Sequence, residues 1–90
     1  MRKAIITVVG KDSVGIIARV CTFLSERNIN ILDISQTITG GYFNMMMIVD
    51  IAEARGEINL LSEALTELGE HIGVSIRIQL EEIFTMMHRI

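Results

Sequence analysis

The sequence predicts an α+β domain with the element order β-α-β-β-α-β. Three observations predict it: two segments with apolar residues three and four positions apart, four short apolar segments of strand length, and a Gly40-Gly41 pair between two of those strands. Ninety residues are enough for one domain with one small core. Because half of the residues are hydrophobic, intrinsic disorder is excluded.

The first strand is predicted at residues 3–9, an Ile-, Val- and Thr-rich run that ends at Gly10. Both of its faces are apolar, which favours a central position in the sheet. The polar cluster at residues 10–13 predicts a turn, and Asp12 or Ser13 is expected to cap the helix that follows.

The first helix is predicted over residues 14–27, since Ile17, Val20 and Leu24 recur at helical spacing. Gly15 falls in its first turn, where a better helix former would be more favourable by up to about 1 kcal/mol. A glycine at this place allows a ligand or another backbone to come close.

Residues 29–39 and 42–51 are predicted as two strands of a hairpin, because both residues of Gly40-Gly41 accept the positive φ of a type I′ turn. Asn28 is expected to end the preceding helix in the left-handed conformation. The second strand of the hairpin has one wholly apolar face. In the first strand, one face is expected to carry Leu32, Ile34 and Ile38.

The second half of the chain predicts one helix, one strand and a short tail. The helix at residues 58–72 has the strongest periodicity in the chain and ends at Gly73. Residues 74–80 alternate between apolar and polar side chains, as in a half-buried strand. Residues 82–90 predict a short C-terminal helix.

This order is the ferredoxin-like arrangement, a four-stranded antiparallel sheet with two helices on one face, here followed by a short C-terminal helix. We expect a domain at residues 1–81 and a helical tail at 82–90. The other face of the sheet, with Met46 and Ile48, is left uncovered within one chain. Together with the apolar tail, it predicts a homo-oligomer, either a dimer or a tetramer.

The charged and nucleophilic side chains exclude several classes of function. A net charge of −3 with scattered basic residues argues against nucleic-acid binding. Cys21 is the single cysteine, so a CxxC metal or redox site is excluded within one chain. His71 and His88 have no evident catalytic grouping, and no serine lies in a GxSxG context. We therefore expect no catalytic residue, metal or cofactor.

No apolar run approaches the ~20 residues of a membrane span, and no signal peptide is evident. We expect a cytoplasmic protein that does not bind membranes.

Other classes of protein with this element order fit the sequence less well. An acylphosphatase needs an arginine in the loop that here offers Lys11, a metal chaperone needs a CxxC there, and an RNA-recognition motif needs aromatic residues on the first and third strands.

Free backbone N–H groups at the start of the first helix are suited to bind a carboxylate. The segment DSVGIIARVCTFLSERNINI, residues 12–31, resembles the signature of ACT domains, with Gly15-Ile16 at the helix opening and Asn30-Ile31 at the entry to the second strand. Residues 81–90 resemble the end of small stand-alone bacterial ACT proteins, akin to the ACT modules of a glycine-cleavage transcriptional regulator.

The resemblance implies a non-catalytic regulatory module that binds a small effector, commonly an amino acid, at a homo-oligomer interface and signals to a partner protein. Carried over by position, the binding residues of one chain are Asp12, Ser13, Val14, Gly15 and Ile16, and its partner contributes Asn30 and Ile31. Some amino-acid-binding relatives have Asn at the position of Asp12. A carboxylate accepts a hydrogen bond from an ammonium group but repels another carboxylate.

The first helix separates these two sets of residues by roughly 21 Å, so they can share one effector only across a two-fold axis. Two alternatives stay open. One is a pure interaction or oligomerisation subunit that binds no small ligand, and the other is an enzyme of the acylphosphatase kind.

Overall fold

The computed structural model describes residues 1–54 and 56–87. Two helices pack on one face of a four-stranded antiparallel sheet with the strand order β2-β3-β1-β4. The elements are β1 (Lys3–Lys11), α1 (Ile16–Glu26), β2 (Asn30–Thr39), β3 (Tyr42–Asp50), α2 (Ile58–Ile72), β4 (Val74–Leu80) and α3 (Glu81–Met87). The predicted ferredoxin-like fold and the central position of the first strand are confirmed.

The core lies between the sheet and the two long helices. Alternate residues of the two central strands point into it, and Ile6, Val8, Met45 and Met47 are fully buried there. Burying one such side chain contributes roughly 1.5–3 kcal/mol to stability. We call this face of the sheet the inner face and the opposite one the outer face.

β1 is longer than predicted and runs through Gly10 and Lys11, which pair with Phe43 and Tyr42 of β3. The backbone N–H of Asp12 then donates to the Gly41 carbonyl oxygen at 2.8 Å. This bond ties the end of β1 to the hairpin turn. This bond has no local signal in the sequence, because the two residues are far apart in the chain.

The start of the first helix was predicted incorrectly. α1 begins at Ile16, and its N-cap is Gly15 in the left-handed conformation, with φ 91°. Neither Asp12 nor Ser13 caps the helix with its side chain. Gly15 makes the sharp turn between the end of β1 and α1, and a residue with a Cβ would be strained at its positive φ.

β2 is an edge strand that neither helix covers. A β-bulge between Ile31 and Asp33 places Leu32 outside the regular pairing with β3. Beyond the bulge, Ile34 and Ile38 point to the inner face, as expected, since they pair with inward-facing residues of β3. They stay substantially exposed because no helix lies above this edge.

The predicted residues that end the two long helices and form the hairpin turn are confirmed. Asn28 has a φ of 61° after α1, and Gly73 has a φ of 79° after α2. The Gly73 N–H donates to the Gly69 carbonyl oxygen. Both residues of Gly40-Gly41 have positive φ, as the two-residue hairpin turn requires.

α3 follows β4 without a connecting loop and contacts β1 and β4. Ile5 points to the outer face and lies outside the core cluster, yet it is only 7% exposed. We attribute this burial to α3, which therefore lies over one end of the outer face. The last three residues of the predicted tail, 88–90, lie outside the described residues.

Across residues 1–54 and 56–87, no helix is both long and apolar enough to cross a membrane.

We predict that Gly69→Ala destabilises the protein. A Cβ at this buried position of α2 would lie 2.5 Å from the Val74 carbonyl oxygen and 3.3 Å from the Ile76 backbone nitrogen. Overpacking of this kind costs about 1–3 kcal/mol, which exceeds the gain of about 1 kcal/mol that alanine brings in a helix. Urea unfolding measures the difference. Glu67→Ala, at an exposed position of the same helix, is the control and should stay within about 0.5 kcal/mol. A Gly69→Ala protein as stable as the parent would contradict the packing argument.

Candidate functional site

A groove of about 440 Å³ lies between the N-terminus of α1 and the inner face of the hairpin. Four of the predicted effector residues line it: Asp12, Ser13, Gly15 and Ile16. Val14 does not line it, because its side chain is fully exposed. The structure thus brings together most of the loop that the sequence had singled out.

The floor and far wall of this groove were missed by the sequence analysis. They include Gln36 and Ile38 of β2 and Phe43 of β3, and Ile17 of α1 lies opposite them. Gln36 shares the inner face with Ile34 and Ile38, because it pairs with the buried Met45. The alternation along this strand indicates which side chains share a face. It places Gln36 in the groove only once β2 is known to be the edge strand beside α1.

The N-terminus of α1 presents unsatisfied donors at this groove. The first backward hydrogen bond of the helix runs from the Arg19 N–H to the Gly15 carbonyl oxygen at 3.0 Å. The N–H groups of residues 16–18 therefore precede the hydrogen-bonded ladder, and no side chain caps them. These groups and the helix dipole favour an anionic group. The nearby Asp12 carboxylate favours a cation, so the groove has two poles of opposite sign.

A second groove, of about 500 Å³, lies at the other end of α1. It is lined by Cys21, Ser25, Asn28, Ile29, Asn30 and Ile31. The two predicted residues of the second set, Asn30 and Ile31, are therefore in this groove and not beside Asp12. The eleven residues of α1 span roughly 16 Å at 1.5 Å per residue, so one chain does not bring the two sets together.

Both grooves open along the same gap, between α1 and the edge strand β2. Ile17, Cys21 and Ser25 are four residues apart on α1 and face this gap at its two ends. Cys21 is a half-buried free thiol. Within residues 1–54 and 56–87, no three His, Cys, Asp or Glu side chains are grouped so that they could hold a metal ion.

The family model of the ACT domain matches residues 2–79. The chain belongs to the ACT domain family. A UPF0237 protein of Bifidobacterium longum is 67% identical over 90 residues, which is the full length of both chains. A solved ACT domain protein of Streptococcus pneumoniae is 42% identical, with a TM-score of 0.82, over 92% of this chain and 93% of that one.

Longer proteins contain the same fold as one part. A formyltetrahydrofolate deformylase of Pseudomonas syringae matches with a TM-score of 0.82 and 27% identity, over 89% of this chain but only 28% of that enzyme. A putative glycine cleavage system transcriptional repressor matches with a TM-score of 0.74 and 22% identity, over 88% of this chain and 45% of that one; this likeness concerns the fold alone. The ACT family membership supports a regulatory module that binds a small ligand.

Proposed function

We propose that two copies of this chain pair along their β2 strands and bind a small effector, an amino acid, at each end of the interface. The observation that carries the proposal is the position of the two grooves at opposite ends of one open gap between α1 and β2. No reaction is assigned to the module. Its output is expected to pass to a partner protein through the effector-bound dimer.

The edge of β2 supports the pairing. It is a ten-residue strand with one side free of any neighbour in the sheet. A strand edge of this length is a template for pairing with another chain. Ile34 and Ile38 beside it are exposed, Ile38 to 55%, and Ile17 stands across the gap. A second copy would bury these side chains together with the edge.

Symmetry explains why the two grooves belong together. An antiparallel pairing of β2 with its copy has a two-fold axis perpendicular to the sheet. The axis places the Thr39 end of one strand beside the Asn30 end of the other. The groove at Asp12 in one chain then meets the groove at Asn30 of the partner subunit, and this happens twice.

The chemistry of the combined groove suits a zwitterion. The Asp12 carboxylate accepts from an ammonium group, and the N–H groups at the start of α1 donate to a carboxylate. Asn30 of the partner subunit carries both a donor and an acceptor. Ile17, Ile38 and Phe43 then surround the remaining part of the effector with apolar atoms.

The second candidate function is an oligomerisation subunit without a small ligand. The exposed apolar side chains beside β2 favour it, because they account for an interface whether or not an effector is present. The two candidates differ in one measurable property, which is the response of stability to free amino acids.

We predict that at least one of the twenty amino acids raises the melting temperature of the protein. A ligand that binds the native state adds about 2.7 kcal/mol at a hundredfold excess over its Kd. Asp12→Ala should reduce that shift, because it removes the ammonium acceptor. Asp33→Ala is the matched control, since Asp33 is an exposed carboxylate on the outer face of β2. A flat screen would favour the subunit without a ligand.

A mixed dimer tests whether each site spans both chains. With Asp12→Ala in one chain and Asn30→Ala in the other, both defects fall into the same site and the second site stays intact. Titration with the effector found in the screen should then give one full-affinity site per dimer. Two equally weakened sites would mean that each site is built within a single chain.

Cross-linking tests the position of the axis. The axis passes the middle of the free edge of β2, and Cys21, in the middle of α1, faces the gap beside that edge. A short bismaleimide should therefore link the two chains through Cys21. Cys21→Ser is the control for the reacting thiol, and Ile34→Glu should reduce the yield by weakening the β2 pairing. If the protein is dimeric but the bismaleimide does not cross-link its two chains, the interface lies elsewhere.

A further inference from the structure

We infer that the effector has an uncharged side chain with a hydroxyl or amide group, and that Gln36 is the residue that selects it. This selection rests on the proposed function, because it concerns the side chain of the amino acid bound in the same site. Two observations support it: the place of Gln36 in the groove, and the charges that the two grooves carry.

Gln36 is a polar residue in an apolar row. It shares the inner face of β2 with Ile34 and Ile38, and it pairs with the fully buried Met45. A strand edge that served only to pack against another chain would favour a third apolar side chain here, since polar residues at apolar positions usually serve a function.

The side-chain amide of Gln36 is available to a ligand. Within residues 1–54 and 56–87 it makes no hydrogen bond to another residue. An amide carries both donors and an acceptor. When an effector and a second chain displace water from the groove, this amide needs a new partner, because a polar group that is buried without one is unfavourable.

Gln36 lies along the groove from the end that would hold the backbone of the effector. Asp12 is tied to Gly41 at the hairpin turn. Gln36 is farther from that turn than Ile38 by two residues, or about 7 Å. An amino acid whose ammonium group lies at Asp12 would therefore direct its side chain past Ile38 toward the Gln36 amide.

The charges of the grooves exclude a charged side chain. Among residues 1–54 and 56–87, Asp12 is the single charged residue that lines either groove. The polar residues of the second groove, which the β2 pairing would place against the first, are all uncharged: Cys21, Ser25, Asn28 and Asn30. Because Asp12 pairs with the ammonium group, a charged side chain would be buried without an opposite charge, which is strongly unfavourable.

An apolar side chain is disfavoured for a different reason. It would leave the Gln36 amide without a partner, and a site built to form a hydrogen bond discriminates against a ligand that lacks the matching group. Serine, threonine, asparagine and glutamine have an uncharged group that bonds to an amide. We therefore expect the effector among these four amino acids.

Isothermal titration of the parent protein with matched amino acids tests the selection. The strongest ligand should be one of the four and should bind about tenfold more tightly than its apolar analogue, which corresponds to about 1.4 kcal/mol. The analogues are alanine for serine, valine for threonine, leucine for asparagine and methionine for glutamine. Aspartate and glutamate, compared with their amides, test the exclusion of charge in the same way.

Gln36→Met tests the role of Gln36, because it retains the length of the side chain and removes the amide. It should weaken the polar ligand about tenfold and leave the apolar analogue unchanged, so that the preference between them is lost. Thr37→Val is the matched control. Thr37 is the next residue of β2, exposed on the outer face, and its variant should keep the preference of the parent protein.

The outcomes separate this inference from the proposed function. A strongest ligand outside the four amino acids would overturn the inference and leave the effector site in place. An unchanged preference in Gln36→Met would overturn it as well, and a weaker dimer in ultracentrifugation without amino acid would then assign Gln36 to the contact between chains. Binding of none of the twenty amino acids would contradict the proposed function itself, and the selection with it.

Discussion

Two long helices cover only part of one face of a four-stranded sheet, and the other features of this molecule depend on that limit. Fully buried residues of β1 and β3, such as Ile6 and Met47, have α1 and α2 above them. The edge strand β2 and half of the outer face have no such cover. Within residues 1–54 and 56–87 no further helix or strand covers them, and small domains bury a small share of their surface. The surfaces available for function are therefore the ones that the core leaves open.

The elements and their order could be predicted from the sequence because each element has a local signal. The period of α2, the alternation of β4 and the Gly40-Gly41 turn depend only on neighbouring residues, and all three were predicted correctly. The start of α1 was not: Gly15 is the N-cap in place of Asp12 or Ser13, and the Asp12 N–H is bonded to Gly41, which is distant in the chain. A bond of this kind between distant residues has no local signal.

The candidate site shows the same division. Asp12, Ser13, Gly15 and Ile16 were predicted from the turn before the helix and from the ACT resemblance, and Asn30 and Ile31 from the resemblance. The structure places the first four in one groove and the other two in another. Gln36 and Ile38 were missed since their place in the groove follows from β2 being an edge strand beside α1, which is a property of the sheet order. The bulge at Leu32 was also missed, although the sequence carries a signal of it: the inward-facing apolar residues change phase there, from Ile29 and Ile31 to Ile34 and Ile38. Residues that are distant in the chain but close in the fold cannot be grouped from a single sequence until the order of the strands is known.

The proposed position of an effector between two chains would have a thermodynamic consequence for regulation. A ligand that contacts Asp12 of one chain and Asn30 of the other binds the dimer more tightly than the monomer. By linkage, it strengthens the dimer by the same factor by which dimerisation strengthens its binding. In the proposed dimer, the effector concentration would thereby set the population of paired β2 edges. A partner protein that binds only the free edge, or only the paired sheet, would respond to that population directly, without any change in the fold of the subunit.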